Sequence, residues 1–253
     1  MKKLAFIFVL ALVAIGCNND DDTLETTASV TFNFTQNWKG QPVSLADFNN
    51  TIYTNAFGNS LKISTLRYLI SRIELHRADG STVAFNDYRL IDLEETSSLA
   101  LNPALKVPTG DYTGISFVFG FNDEDNISGN YPDLNDANWN WPDMLGGGYH
   151  FMQMEGTYED TNGAQQAYAY HMGTARVSDG VFESNYLSFD FNKSFTISND
   201  TAIEIKMDIS EWYKNPYIWD LNVFDTDLMM NYAAQKHMHD NGASVFSIGT
   251  ISQ

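Results

Sequence analysis

Apolar and polar side chains alternate with a period of two along most of the chain. Val30, Phe32 and Phe34 fall on one face of a segment whose other face carries Thr and Asn side chains, which is the pattern of a half-buried β-strand. The alternation recurs over residues 202–209, and other β-rich runs cover residues 63–75, 88–93, 115–121, 149–158, 166–172 and 186–191. Turn-forming pairs such as Asn162-Gly163 separate the runs. We therefore predict an all-β, β-sandwich-like single domain.

Two short helices are predicted near the C-terminus. Ser210 is a candidate N-cap for residues 211–214, and Thr226 is a candidate N-cap for residues 228–239. One long stretch without regular periodicity, residues 122–148, interrupts the strands. Because long irregular segments inside compact domains are often functional, we expect this stretch to contribute to a functional site.

The N-terminus has the pattern of a lipoprotein signal peptide. Two lysines precede an apolar run over residues 4–15, which is too short to span a bilayer. The following sequence, Ala14-Ile15-Gly16-Cys17, resembles a lipobox with Ala in place of the more usual Leu. We predict a signal peptide over residues 1–16, a lipidated Cys17 with an acidic tether over residues 17–27, and a β domain over residues 28–253. The alternative is an ordinary signal peptide with a chance cysteine.

The predicted lipid anchor on Cys17 points to a membrane surface. We expect an outer-membrane lipoprotein that is either periplasmic or exposed at the cell surface. The acidic run just behind the cysteine resembles the export signal by which some Gram-negative bacteria send lipoproteins to the surface. A plain solvated linker would have the same composition, so both interpretations stay open.

Charge and composition exclude several classes of function. The formal net charge is −18, which argues against a nucleic-acid partner because such partners require basic patches. Cys17 is the only cysteine, so neither a disulfide nor a cysteine metal cluster can form within the chain. The sequence has no Gly-x-Ser-x-Gly and no His-Glu-x-x-His motif. We expect a protein that is not an enzyme; a hydrolase with two facing carboxylates is the weakest alternative.

Histidine and methionine side chains mark a candidate metal site. In an extended strand His150 shares one face with Met152 and Met154, and His171 lies on the partner strand of the predicted hairpin. Imidazole and thioether ligands together suit copper, Cu(I) in particular. The alternative is that both methionines fill the core and that His150 is an ordinary histidine at its rim.

Two further groups of residues are weaker metal candidates. His237 and His239 fall on the second predicted helix, where residues two apart do not face each other. The acidic loop over residues 122–126 lacks the ligand spacing of an EF-hand. The sequence therefore does not favour calcium.

Two tryptophans stand one residue apart in the irregular stretch. Trp139 and Trp141 precede three consecutive glycines at residues 146–148, which allow the backbone to pass close to another group. Three roles are compatible with this pattern: a platform on which sugars stack, a contact with a partner protein, or an anchor in the core.

Short motifs spread over nearly the whole predicted β domain carry a family resemblance. They occupy residues 32–38, 61–75, 88–92, 108–112, 119–126, 134–141, 148–151, 155–156 and 171–173. The histidine-bearing motifs among them are Gly148-Tyr149-His150-Phe151 and His171-Met172-Gly173. In their order and spacing these motifs resemble the MbnP-like family of periplasmic or surface copper-binding proteins.

The resemblance implies a β-sandwich-like fold and a mononuclear copper site. In related copper binders two histidines and kynurenine, an oxidised tryptophan, hold the ion, and a di-haem cytochrome c peroxidase-like partner carries out the oxidation. On this chain His171 is the best-matched ligand, and Trp139 or Trp141 is the candidate for oxidation. His150 is the less well matched ligand, since it stands where many relatives carry a lysine or another residue. Asparagines flank Trp139, where the resemblance implies a histidine beside the oxidised tryptophan.

The sequence leads to two functional hypotheses, which belong to different classes of protein. The leading hypothesis is a copper-binding extracytoplasmic lipoprotein that captures or delivers copper, with the di-haem protein and an outer-membrane transporter as candidate partners. The alternative is a surface module that binds a glycan or a protein on exposed Trp139 and Trp141. Histidines that converge near a tryptophan would favour copper, whereas a rim of exposed aromatic side chains would favour the binding module.

Overall fold

The computed structural model describes residues 26–253. The predicted signal peptide, Cys17 and all but the end of the predicted tether lie outside the described residues. Thr27, the last residue of the predicted tether, already pairs with Pro108 in a short two-stranded ribbon. Within the described range no helix has both the length and the apolar character needed to cross a membrane.

The described residues form seventeen strands and two α-helices. The strands are β1 (Thr27–Ala28), β2 (Val30–Trp38), β3 (Gln41–Val43), β4 (Tyr53–Thr54), β5 (Ser60–Arg77), β6 (Thr82–Ala84), β7 (Tyr88–Asp92), β8 (Ala100–Leu101), β9 (Val107–Pro108), β10 (Gly110–Phe119), β11 (Met152–Glu159), β12 (Gln165–Met172), β13 (Ala175–Ser178), β14 (Val181–Glu183), β15 (Leu187–Ile197), β16 (Thr201–Asp208) and β17 (Phe246–Ser252). The helices are α1 (Pro132–Asp136) and α2 (Tyr232–Gly242). Five 3₁₀ turns cover Leu45–Asp47, Thr96–Leu99, Asp143–Leu145, Ile209–Tyr213 and Leu228–Met230.

The larger sheet is organised around the 18-residue strand β5. Its strand order is β12-β11-β5-β10-β15, and the short strands β4, β6 and β7 also pair with β5. Every pair in this sheet is antiparallel. The long strand therefore joins the β11–β12 hairpin at one end to β10 and β15 at the other.

The smaller sheet has the order β17-β16-β2-β3, with β8 added to β2. Its β2–β16 pair is parallel. Both central strands alternate strictly between buried and half-buried residues, and their buried faces join the main hydrophobic core. A buried hydrogen bond of 2.7 Å from the Gln36 amide to the Tyr68 hydroxyl links the two sheets across that core. The predicted all-β, β-sandwich-like fold is confirmed.

Both predicted C-terminal helices differ from expectation at their caps. Asp208, not Ser210, caps the first one, because its carboxylate accepts the Ser210 N–H, and the segment is a single 3₁₀ turn. The second is divided into a 3₁₀ turn, Leu228–Met230, and α2. Asn231, not Thr226, caps α2 by accepting the Ala234 N–H. An Asn is as good a cap as a Thr, so the sequence alone did not separate the two positions.

The irregular stretch over residues 122–148 covers the face of the larger sheet that points away from the main core. It contains α1 and the Asp143–Leu145 turn. A second, smaller hydrophobic cluster lies beneath it, formed by Leu69, Phe121, Leu134, Trp139 and Tyr149. The loop therefore has a core of its own, and the candidate site lies at its edge.

Candidate metal centre

The β11–β12 hairpin determines which way His171 points. Met152 pairs with Met172, and Met154 pairs with Tyr170, and all four side chains belong to the main core. Because successive residues of a strand point to opposite faces, His171 points away from that core. It emerges on the side of the sheet that the irregular loop covers.

His150 reaches the same side through an irregular backbone. We expected His150 to share a face with Met152 and Met154, and that expectation is wrong because β11 begins only at Met152. Two residues earlier the chain pairs instead with the tryptophan segment: the His150 N–H donates to the Trp139 carbonyl at 2.9 Å. The imidazole of His150 therefore meets that of His171, while the two methionines stay in the core.

The three consecutive glycines let the loop close over the site. Residues Gly146, Gly147 and Gly148 all have positive φ angles, a conformation that residues with a Cβ rarely adopt. A Cβ on Gly148 would lie 2.3 Å from the amide oxygen of Asn126, which accepts a hydrogen bond from the Tyr149 N–H. The expected close backbone approach is thus made to the amide of Asn126.

Four rings form one cluster, which we call the histidine–tryptophan cluster: Trp139, Trp141, His150 and His171. Ring centroids lie 5.4 Å apart for the two histidines, 4.9 Å for Trp141 and His150, and 5.4 Å for Trp139 and His150. Both indoles are buried, with 0% and 1% exposure. Of the three roles left open for the two tryptophans, the structure therefore favours an anchor in the core, since the loop folds both rings against the sheet.

Both imidazoles of the cluster have one nitrogen held by a hydrogen-bond acceptor. His150 Nδ1 lies 3.1 Å from the Trp139 carbonyl oxygen, and His171 Nε2 lies 2.8 Å from Glu155 Oε1. Because a carbonyl or a carboxylate only accepts, each of these ring nitrogens carries the proton. In the neutral rings the lone pairs are on His150 Nε2 and His171 Nδ1, neither of which has a hydrogen-bond partner among the described residues.

Burial keeps both imidazoles neutral. It lowers the pKa of His150 to about 4, a shift that the nearby His171 and Arg67 reinforce and the Trp139 carbonyl opposes. Burial also lowers the pKa of His171, while the Glu155 carboxylate acts in the opposite direction. A neutral imidazole is the form that binds a metal ion, so the cluster needs no deprotonation at neutral pH.

Trp139 has an unusual electrostatic environment. The guanidinium of Arg67 lies 4.9 Å from the centroid of its ring and forms an ion pair with Asp92 at 3.0 Å. The indole Nε1 of Trp139 is buried and has no hydrogen-bond partner, whereas that of Trp141 donates to the Leu145 carbonyl at 3.2 Å. A buried donor without a partner costs about 1–3 kcal/mol, so the Trp139 nitrogen requires an explanation.

The structure leaves the other candidate ligands outside the cluster. Met152 and Met154 are in the core, where Met154 Sδ accepts from the Tyr213 hydroxyl. His237 stacks on Tyr217 with ring centroids 3.8 Å apart. In the acidic loop, Arg72 forms ion pairs with Glu124 and Asp125. Among residues 26–253 no three His, Cys, Asp or Glu side chains converge on one point.

Glu155 is the functional residue that sequence reasoning missed. It lies on β11 opposite Ala169, diagonal to His171 on β12, at a distance that long side chains span. The small side chain of Ala169 had indicated room beside His171 for a ligand or another side chain. Glu155 uses that room, but only the register of the hairpin identifies it.

The fold and the cluster define a β-sandwich protein with buried histidines and tryptophans beneath a long loop. The model of the MbnP family matches residues 27–230, so the chain belongs to the MbnP family. Its fold is similar to that of MbnP from Methylosinus trichosporium, with a TM-score of 0.57 and 15% identity over 88% of this chain and 99% of that chain. Identity this low supports a common fold only. No curated protein matches the chain.

Gly173→Ala should disturb the cluster from the side of Trp141. A Cβ at this position would lie 2.5 Å from the indole ring, so the ring must shift. We expect a loss of about 1–3 kcal/mol in the free energy of unfolding and an altered near-ultraviolet circular dichroism spectrum. Ser178→Ala, at an exposed position on β13, is the control and should stay within about 0.5 kcal/mol of wild type. Equal stability of the two variants in urea would contradict the packing described here.

Proposed function

We propose that this chain is a copper-binding extracytoplasmic lipoprotein that captures or delivers copper and is not an enzyme. The observation that carries the proposal is the pair of neutral imidazoles in the histidine–tryptophan cluster. Metal-ligating histidines commonly donate their second N–H to a carboxylate or a backbone carbonyl, which fixes the tautomer and the ring orientation. His150 and His171 each have such an acceptor, and their other nitrogens are left for an ion.

The donor set favours copper over the common structural metals. Zinc sites in proteins usually have four tetrahedral ligands, or three and a water in catalytic sites. His150 and His171 supply two, and no third His, Cys, Asp or Glu joins them within residues 26–253. Calcium and magnesium require oxygen ligands. A site with two imidazoles suits Cu(I), which is stable with few ligands, and imidazole is a good copper ligand.

An oxidised tryptophan is the proposed further ligand, and Trp139 is the better candidate of the two. Oxidation to kynurenine cleaves the indole C2–C3 bond and adds one oxygen atom at each carbon. With water as the source of these oxygen atoms, four electrons and four protons are removed, and the electrons pass to the peroxidase-like partner; hydrolysis by a further water then releases C2 as formate. The indole nitrogen becomes an aniline nitrogen with a lone pair. At Trp139 this nitrogen has no partner to lose, whereas at Trp141 it is already bound to the Leu145 carbonyl.

The oxidant in this proposal is a di-haem cytochrome c peroxidase-like partner. Because both tryptophans are buried, the partner would draw electrons through the protein and would not contact either ring directly. Lipidation of Cys17 would hold the domain at the outer membrane, on the periplasmic side or the cell surface, where an outer-membrane transporter is a candidate recipient of the copper. The net charge of −18 favours cations near the domain.

The alternative, a glycan- or protein-binding module, required Trp139 and Trp141 to be exposed. Both are buried and contact His150. A sugar cannot stack on an internal ring without displacing the loop. Histidines that converge beside tryptophans were the arrangement expected for copper, so the copper proposal has the stronger support.

Copper stoichiometry tests the proposal directly. In the presence of a competing Cu(I) chelator we expect the chain beginning at residue 18 to retain one tightly held Cu(I), and His171→Ala and His150→Ala each to lose this tightly held ion, because each removes one of the two imidazoles. His237→Ala is the matched control, since His237 stacks on Tyr217 away from the cluster. The intact mass of each preparation is measured alongside, to show whether a tryptophan is oxidised. Protein with an oxidised tryptophan that binds no copper would end the proposal.

Glu155→Ala tests whether the hydrogen bond to His171 supports metal binding. Loss of an outer-shell partner of this kind typically lowers metal affinity by about 10–100-fold, and we expect a loss in that range by competition with a Cu(I) chelator. Glu159→Ala, at the exposed end of the same strand, should leave the affinity unchanged. Equal affinities of the two variants would show that Glu155 does not orient a ligand.

Intact-mass and peptide mass spectrometry test the assignment to Trp139. The chain is produced together with its di-haem partner as wild type, Trp139→Phe and Trp141→Phe. We expect the mass change of kynurenine in the wild type and in Trp141→Phe, and none in Trp139→Phe, because of the two indole nitrogens in the cluster only that of Trp139 lacks a partner. The reverse pattern would move the modification to Trp141. No modified residue in any of the three would refute the oxidation step.

A further inference from the structure

A pocket of about 460 Å³ opens beside the histidine–tryptophan cluster. We call it the methionine pocket, after Met144, Met229 and Met230 in its lining, which also includes Pro142, Leu145 and His171. Its lining contains one carboxylate, Asp227, and no lysine or arginine. The pocket therefore combines soft thioether side chains, a ring of the proposed copper site and a negative charge.

The methionines of the described residues fall into two groups. Five are fully buried in the core: Met152, Met154, Met172, Met207 and Met238. The other three are the ones that solvent reaches, and all three line the methionine pocket. Met144 and Met230 are 65% and 56% exposed, and Met229 is half-buried. Single exposed apolar residues need no explanation, but the accessible methionines are concentrated at one place.

Hydrogen bonds from the site hold the methionine-bearing turns in position. Gln235 is fully buried and donates to the carbonyl oxygens of both His171 and Leu228, at 2.8 and 3.1 Å. It thereby fixes the Leu228–Met230 turn beside His171. On the other side, Trp141 Nε1 donates to the Leu145 carbonyl and fixes the turn that carries Met144. Gln235 and Trp141 thus connect the two methionine-bearing turns of the pocket to the cluster.

The histidine pair meets solvent on the side of this pocket. The side chain of His171 is 16% exposed and lines the pocket. His150 is more deeply buried and is in contact with the His171 ring. An ion that enters the pocket from solvent therefore meets the thioethers and the His171 ring in the same space, whereas His150 does not line the pocket.

We propose that the methionine pocket is a capture site that binds Cu(I) through the sulfurs of Met144, Met229 and Met230 and transfers it to the histidine pair. This inference rests on the copper function proposed above. Thioethers select soft Cu(I) over zinc, calcium or magnesium. The methionine side chain has three rotatable bonds, so the three solvent-accessible side chains can converge on an ion and release it again.

The first test separates the pocket from the histidine pair. Ag(I), a redox-inert substitute for Cu(I), is titrated into the chain beginning at residue 18, in which every described element lies, labelled at the methionine methyl carbons. We expect the Met144, Met229 and Met230 signals to shift both in the wild type and in a His150→Ala/His171→Ala double variant. The five buried methionines are internal controls whose signals should stay in place. Pocket signals that do not move in either protein would overturn the capture site.

The second test measures transfer to the histidine pair. In a Met144→Leu/Met229→Leu/Met230→Leu variant, we expect Cu(I) to load from a chelator more slowly by about tenfold or more, within the range over which association rates of variants differ. The equilibrium affinity of the histidine pair should be nearly unchanged. Loading at the wild-type rate would overturn the transfer role.

The leucine substitutions also separate this proposal from a docking surface. Leucine keeps the volume and apolar character of methionine, so a pocket that merely docks a protein would keep its function in the triple variant. The wild-type protein gives the decisive comparison. If its pocket methyl signals respond to Ag(I) but its histidine pair binds no copper, the capture site stands and the function proposed for the cluster is refuted. The two proposals can therefore fail separately.

Discussion

The Trp139 carbonyl oxygen is the acceptor on which the arrangement of the site depends. It accepts two hydrogen bonds from one residue, the His150 N–H at 2.9 Å and the His150 Nδ1–H at 3.1 Å. The first ties the irregular loop to the chain just ahead of β11, and the second fixes the imidazole and its tautomer. Together with the hydrogen bond of 3.0 Å from the Trp141 N–H to the Gly148 carbonyl, this double contact sets the register of the loop against the segment ahead of β11 and holds His150 beside His171.

Burial supplies the second constraint, because it decides the charge of the two imidazoles. The loop removes water from His150 and, less completely, from His171, so the protonated forms become unfavourable. The Arg67 guanidinium adds a positive charge nearby, which it shares with Asp92. Glu155 gives His171 an anionic partner that His150 lacks. The two rings therefore differ: His171 is the more basic and more accessible, and His150 the more deeply held.

The strands and the β11–β12 hairpin could be predicted from the sequence because the alternation of apolar and polar residues and the turn residues are signals within a short stretch of sequence. The convergence of His171 with Trp139 and Trp141 came from the family resemblance. The face of His150 was predicted wrongly because alternation applies only within a strand, and β11 begins after it. The sequence left open whether the tryptophans are exposed or anchor the core, because the answer depends on the separate hydrophobic cluster that residues 122–148 form with the sheet. Glu155 and the methionine pocket depend on register and on distant turns.

Selectivity among metal ions is decided by geometry, ligand softness and access more than by affinity alone. In this chain the candidate ligands and the route to them have different chemistry: two imidazoles inside, and thioethers with one carboxylate outside. A hard cation gains little from the thioethers, and an ion that needs four protein ligands would find fewer at the histidine–tryptophan cluster, where two imidazoles and the proposed kynurenine nitrogen are available. Under the two proposals the chain would discriminate against zinc, calcium and magnesium at both places. The buried Gln235 donates to the carbonyl oxygens of both His171 and Leu228, so these hydrogen bonds connect the proposed capture site with the proposed final site.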